Sequence, residues 1–508
     1  MINAPETMTK RQRWAALGLL STGLLLVVMD MTILIMALPS LIADLQPTAA
    51  EQLWIVDIYG LFLAGLLIPM SALADRYGRR KFLLIGFGLF GAVSALVLVA
   101  NAPIAVIALR AALGAAGAMT MPTTLSMVRS IFRDPEERAR ALAIWSVVAG
   151  IGAIIGPVVG GALLEVFHWH AAFLINVPFA AVIIIVGGML LPEVKDPNPP
   201  KWDFLAIVLS IAGMVTLVWG IKELAKHDWV GSLEWAKLAV GIALMGLFVW
   251  RCLTQKDPLL DVRLFRSKPF TAGTIAAFFI SFALGGNLLL VAQWLQVVGG
   301  YSPIKAGLAL LPLALGSMVS APFAPDLAKR IGARTVLAGG LATAALGMLL
   351  LGLAVDFTSY WQFIAPMALV GVGMGALAIS SVIIMGSTPT AKAGNAAAIE
   401  ESMYDLGEVF GVAMLGSVAA VVYRGALQIE EFTNAGIDAA AAAYANESLV
   451  GALAVAEQYG LPELATRATT AFNNGLAQAA CTGGIMLVIV SLVAYWLVAK
   501  KFDLSAEH

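Results

Sequence analysis

The chain has 508 residues, 60% hydrophobic and only 12% charged, with a formal net charge of −1. A soluble domain carries roughly 25% charged residues, and a globule of this composition would expose more apolar surface than water tolerates, so a water-soluble fold is excluded. Two cysteines, Cys252 and Cys481, sit in or at the ends of apolar runs and supply neither a disulfide framework nor a zinc spacing.

In chain order, Lys10, Arg11 and Arg13 precede an apolar stretch from Trp14 to Leu38. A signal-peptide core is roughly 7–15 residues. This run is long enough to cross a bilayer ~30 Å thick, so it reads as a retained first helix. Further windows of spanning length fall near 52–73, 82–100, 103–122, 139–163, 171–192, 204–224, 235–253, 269–292, 304–327, 333–355, 360–386, 394–423 and 474–499. The expected fold class is an all-α polytopic membrane protein with fourteen transmembrane helices.

Fourteen crossings put both termini on one side. With the N-terminus in the cytoplasm, six basic residues fall outside (Lys222, Lys226, Lys237, Lys305, Arg424, Arg467). Arg110 lies within a helix, which leaves 24 of the 31 Lys and Arg inside. Basic residues gather on the cytoplasmic side, so both termini are expected there, in a bacterial inner membrane. The chain also resembles itself. Leu73 to Arg80 reads LADRYGRR after helix 2, and Leu327 to Arg334 reads LAKRIGAR after helix 10, 254 residues on. A duplicated six-helix unit accounts for this, giving halves at 1–200 and 256–508 around an inserted helix pair at 201–255. The alternative is that any tight inner loop attracts Arg and Gly.

Asp30 lies deep in helix 1, too far from either surface for its short side chain to reach headgroups. Asp57 lies in helix 2, nearer the outer surface, with Trp54 and Tyr59 beside it as cavity candidates. In the loop that follows, Asp75 can cap the next helix and Gly78 permits a left-handed turn. Arg76 adds charge there, while Arg79 and Arg80 can pair with Asp75 or with carbonyls ending a neighbouring helix, as an inner-gate latch would. Arg110 in helix 4 costs at least ~2.5 kcal/mol in hydrocarbon, so it faces a cavity or a partner; the alternative is that it snorkels or binds carbonyls structurally. Helix 5 carries Gly152, Gly156, Pro157, Gly160 and Gly161. Small residues every fourth position make a groove for another helix, and Pro157 bends the axis.

Helix 13 reads Glu400-Glu401-Ser402-Met403-Tyr404-Asp405-Leu406-Gly407-Glu408. At roughly 100° per residue, Glu401, Asp405 and Glu408 share a face with Tyr404, while Glu400 points away. Carboxylates crowded in low dielectric cannot all stay ionised. Their proton occupancy then depends on whether a cation is present, which is the coupling an antiporter needs. The alternative is that Glu400 and Glu401 sit solvated at the cytoplasmic mouth. The longest loop, about 424–473, reads as two short amphipathic helices broken at Gly460-Leu461-Pro462, either a tether or a gating lid.

Four strings carry a family resemblance: SALADRYGRRKFLL from Ser71, GAIIGPVVGG from Gly152, VMDMTILIMALP from Val28 and QLWIVDIY from Gln52, together with Asn395 to Leu406. They resemble the fourteen-helix drug:proton antiporters of the major facilitator superfamily, of the QacA, SmvA and LfrA type. The resemblance implies the major facilitator fold and proton-driven export of lipophilic mono- and dicationic antiseptics and dyes. It implies proton transfer at Arg110, an exporter's motif in helix 5, and substrate or proton sites on the acids of helices 1 and 13. Two departures stand out: Ser317 where QacA-type proteins carry a helix 10 aspartate, and Glu408 where they have a neutral polar residue. The expected partners are protons, lipophilic organic cations and the lipid bilayer, with no nucleic acid, cofactor or metal, and the protein acts as a monomer. An uptake symporter of the same fold is the nearest alternative. An enzyme is disfavoured, because the four histidines make one close pair, His168 and His170, and no phosphate-cradling glycine loop occurs.

Overall fold

The computed structural model describes residues 8–132, 134–194, 203–226, 231–255, 258, 260–354, 357, 359–388, 393–434 and 437–499. Every regular element there is helical. In chain order they are α1 (Lys10–Leu45), α2 (Ala49–Tyr77), α3 (Arg79–Val99), α4 (Pro103–Ile131), α5 (Pro135–Leu164), α6 (Ala171–Leu190), α7 (Phe204–Lys226), α8 (Ser232–Thr254) and α9 (Lys268–Val298). There follow α10 (Pro303–Ile331), α11 (Ala333–Gly352), α12 (Trp361–Gly386), α13 (Ala393–Leu427), the short α14 (Ile429–Asn434), α15 (Ala439–Glu447) and α16 (Leu449–Tyr459), and α17 (Pro462–Leu497). Thirteen of these are long and apolar enough to cross a membrane, and α5 adds a further helix of 30 residues. The helix count thus accommodates the fourteen expected crossings.

Helix starts follow local chemistry. Thr9 and Thr48 each close a capping box, with Gln12 and Glu51 respectively, and the Asp134 side chain accepts from the Glu137 backbone N–H at the start of α5. At the repeated basic turns, Gly78 and Gly332 both hold positive φ, 111° and 92°, a backbone that side-chain-bearing residues rarely adopt. The two turns thus match in conformation as well as in sequence.

Two large buried clusters form the core. One is built from α1 to α6, around Phe87, Phe90, Phe132 and Trp169. The other is built mainly from α9 to α13 and α17, around Trp294, Phe363 and Leu487. Both faces of the bundle need names. The face carrying Lys10 and the ends of α2 and α10 is the terminal face; α14 to α16 form a cap on the opposite one. The principal contacts between the two helix groups join α5 to α10, α2 to α13 and α1 to α9, toward the cap face.

The cap differs from expectation. It holds three short helices with their own apolar cluster, Phe432, Ile437, Leu449 and Val455 among its members. Gly460, with φ +64°, ends α16, and Pro462 opens α17 directly, so the last helix begins well before the apolar window near 474. The hydropathy window missed this start because the first turns of α17 are alanine- and threonine-rich.

Candidate functional site

At the centre of α1, Asp30 meets a partner far away in sequence. Arg110 of α4 places Nη1 2.8 Å from Asp30 Oδ2, both side chains being 1% exposed. Asn176 of α6 donates to Asp30 Oδ1 at 2.5 Å and to Ser94 Oγ at 3.1 Å. Arg110 also donates from Nε to the Ile55 carbonyl at 3.2 Å, and its guanidinium lies 4.3 Å over the Tyr59 ring. Tyr59 in turn donates to the Val27 carbonyl. Close helix approach builds this knot: Gly114 of α4 lies against the Tyr59 backbone, where a side chain would not fit. Arg110 thus has a partner in Asp30, binds a carbonyl at Ile55 and borders a small cavity, and it does not snorkel to the surface.

Asp57 meets a different cation. Lys222 of α7 brings Nζ 2.8 Å from Asp57 Oδ2, with both side chains enclosed, and sits 4.2 Å over the Trp54 ring. Lys222, which the count of basic residues places on the outer side, is thus buried within the bundle in α7 and not exposed in a loop. A lysine near the end of an apolar window reads as an outer-side charge, although an ionisable residue inside a span signals a functional site by itself.

On α13, Glu400 is buried and accepts from the Tyr404 hydroxyl, one helical turn on. Tyr404 thus gives its hydroxyl to Glu400, and at about 100° per residue it lies some 40° from Glu400 and from Glu408 alike, at the edge of the face that Glu401, Asp405 and Glu408 share. A solvated mouth position for Glu400 does not fit its burial. Glu401 is half-buried. Asp405 is buried, and its Oδ2 has no hydrogen-bond partner.

Glu408 is half-buried and lines two cavities. One, of ≈ 150 Å³, is otherwise apolar apart from Thr32 and Ser317, with Met31, Leu284 and Pro157 in its wall. The other is small, ≈ 20 Å³, and shared with Asp57, Tyr59 and Arg110. Ser317 donates its hydroxyl to the Ala314 carbonyl at 2.9 Å. The two departures noted in the sequence, Ser317 and Glu408, thus line one chamber.

The helix 5 string forms the cap-side wall. Gly156 packs on Thr32 and Gly160 on Ile33, both of α1, while Gly161 meets the backbone of Pro303 and Ile304 at the start of α10. Gly307 of α10 returns the contact: a Cβ there would lie 2.5 Å from the Pro157 carbonyl. Gly152 completes the row against Val28. At the terminal face, Arg79 donates to the Ser126 carbonyl and, at 2.5 Å, to Ser130 Oγ, while Arg80 donates to the Gly188 carbonyl. The Ser126 and Gly188 carbonyls lie near the ends of α4 and α6, one of the two pairings open to these arginines. Arg76 is exposed, and the side chain of Asp75 lies outside the described residues. Among the described residues, no group of three or more His, Cys, Asp or Glu is arranged to hold a metal ion.

Comparison with known proteins agrees with this architecture. The Major Facilitator Superfamily model matches residues 20–425. The multidrug efflux pump LfrA of Mycolicibacterium smegmatis is 40% identical over 96% of both chains. The methyl viologen resistance protein SmvA of Salmonella typhimurium is 33% identical over 96% of this chain and 99% of its own. Among solved structures, a bacterial homologue of the human lysosomal transporter Spinster, inward-facing and unoccupied, superposes with a TM-score of 0.68 at 17% identity, covering 96% of this chain and 98% of that one. That likeness extends to the fold. The chain belongs to the Major Facilitator Superfamily and is a multi-pass membrane transporter, not an enzyme.

Proposed function

We propose that this protein is a multidrug efflux pump that exchanges protons for lipophilic organic cations. The observation that carries the reading is the chamber: an apolar cavity of ≈ 150 Å³ whose only carboxylate among the described lining residues is Glu408. Apolar walls with a single acid select cations that are hydrophobic over most of their surface, since the acid answers the charge and the walls replace water. Asp405 and Glu401, on the same side of α13 as Glu408, extend the acidic track. The relatives' names agree in chemistry, because LfrA is a multidrug efflux pump and the methyl viologen in SmvA's name is a flat dication.

The proton side of the exchange is assigned to Asp30, Arg110 and Asn176. Protonating Asp30 would release the guanidinium toward the small cavity that it shares with Glu408, so the two acids are linked through one mobile cation. Packing toward the cap face supports a cargo path entered from the terminal face. With the terminal face cytoplasmic, in a bacterial inner membrane, that direction is export. Taking Lys222 out of the loops strengthens the basic bias of that face. The chain is organised as six-helix halves, 1–200 and 256–508, around the α7–α8 pair within 201–255, and acts as a monomer.

The test is ethidium accumulation in whole cells, with and without an uncoupler. Expression should lower accumulation, an uncoupler should abolish the effect, and ATP depletion with the gradient held should not. Accumulation that rises on expression would favour an uptake symporter of the same fold. Dependence on ATP alone would end the antiporter reading.

A further inference from the structure

We propose that Lys222 is a tethered cation that competes with cargo for Asp57, so that the α7–α8 pair sets how tightly, and for how long, the pump holds a cation. This rests on the cation-export reading above. Trp54 and Asp57, three residues apart on α2, present an aromatic face and a carboxylate to one ammonium group, at 4.2 Å and 2.8 Å. An acid beside an aromatic face is also what recognises organic ammonium ligands. The site is therefore a cation site, and Lys222 fills it from within the chain.

The pair is poorly supported by its surroundings. Neither Asp57 oxygen nor Lys222 Nζ makes a further hydrogen bond, although an ammonium group has three donors. Asp30, by contrast, is held by Arg110 and Asn176 together. A buried pair without accessory hydrogen bonds barely repays its desolvation, so it is a weak staple and an easily exchanged contact. Its position gives the exchange a purpose. Asp57 lines the small cavity with Glu408, whereas Lys222 lines a cap-side cavity of ≈ 180 Å³ with Arg424, Asn446 and Glu447. The ion pair thus joins a residue of one cavity to a residue of the other. A cation leaving Glu408 toward the cap reaches Asp57 only when the ammonium withdraws, and the returning ammonium displaces it outward. Helix packing fixes Lys222 for this role, because Gly220 of α7 lies directly against Leu238 of α8.

The experiment measures ethidium binding by fluorescence, using the purified full-length protein in lipid nanodiscs. If the pair is closed nine-tenths of the time, freeing Asp57 raises apparent affinity about tenfold. Lys222→Gln should show that gain while lowering export in cells, because release slows. Adding Asp57→Asn should cancel the gain. Lys222→Arg, whose planar fork grips a carboxylate more firmly, should weaken ethidium binding and keeps the test open should the glutamine variant fail to fold. Unchanged affinity in the Lys222 variants, or a gain that survives Asp57→Asn, would overturn the inference and leave the export reading standing. Absence of saturable ethidium binding in the unsubstituted protein would overturn both.

Discussion

Asp30, Asp57 and Glu408 stand in one bundle, yet each charge is answered differently: by Arg110 and Asn176, by Lys222, and by an open chamber. Sequence alone makes Asp30 and Asp57 lone acids, because their partners lie 80 or more residues away and helix rotation decides the meeting. We expect Asp30→Asn to abolish export of every cation while the protein still inserts. Breaking a buried pair costs about 3–5 kcal/mol, chiefly through the orphaned guanidinium. Melting of the purified variant should therefore fall, and adding Arg110→Gln should recover stability without recovering transport. Retained export at normal expression would remove Asp30 from the mechanism. Glu408 invites a second substitution. A dication in an apolar cavity needs two compensating acids, since an unanswered buried charge costs several kcal/mol, and a monocation needs one. Glu408→Gln should then weaken resistance to a bis-quaternary antiseptic more than to a mono-quaternary one. Ser317→Asp, across the same chamber, should partly restore it. Equal loss for both cargoes would assign Glu408 to protons or structure.

At the scale of elements, the small-residue row of α5 was legible as a groove, but not the fact that two neighbours share it. Gly152, Gly156 and Gly160 face α1, whereas Gly161 faces α10. A four-residue spacing marks one stripe, and the adjacent Gly161 lies about 100° around the helix, toward a different partner. This divides the effects of substitution. Leucine at Gly156 or Pro157 should disable transport by forcing α5 away from α1 or spoiling the bend against Gly307. Gly161→Ala acts on the seam alone, because its Cβ would lie 2.5 Å from Ile304 Cα, within the α10 backbone. We expect that variant to fold, to lose export and to favour a state open at the cap face, read as faster labelling of a cysteine placed at Leu310 in a cysteine-free background. Labelling and export unchanged from the parent would reduce the seam to filler.

For the whole molecule, hydropathy fixed the number of crossings because a bilayer demands long apolar helices whatever their neighbours are. Motif strings located the acids, the basic turns and the α5 wall. What hydropathy could not carry was any feature depending on which way a helix faces: Lys222 turned inward, Tyr404 bonded to Glu400, and Ser317 lining one chamber with Glu408. The cap is the largest such feature, since alanine-rich helices of this length are silent about where they dock. Its described link to the first helix group is specific. Glu447 at the end of α15 accepts from the Ala49 backbone N–H at 2.6 Å, at the start of α2. Thr48 and Glu51 cap that same helix start, and Glu447 adds a negative charge at the positive end of the helix dipole. Such a contact contributes about 0.3–1 kcal/mol, a modest bias on opening rather than a lock. If the cap opens with each outward step, Glu447→Ala should raise hydrogen exchange in α15 and α16 by a few-fold while leaving α9 and α13 protected. Export should change with it, and Glu447→Gln, which keeps an acceptor without the charge, should fall between. Exchange and export both indifferent to Glu447 would make the cap a passive tether, with closure resting on the α5–α10 and α2–α13 seams alone.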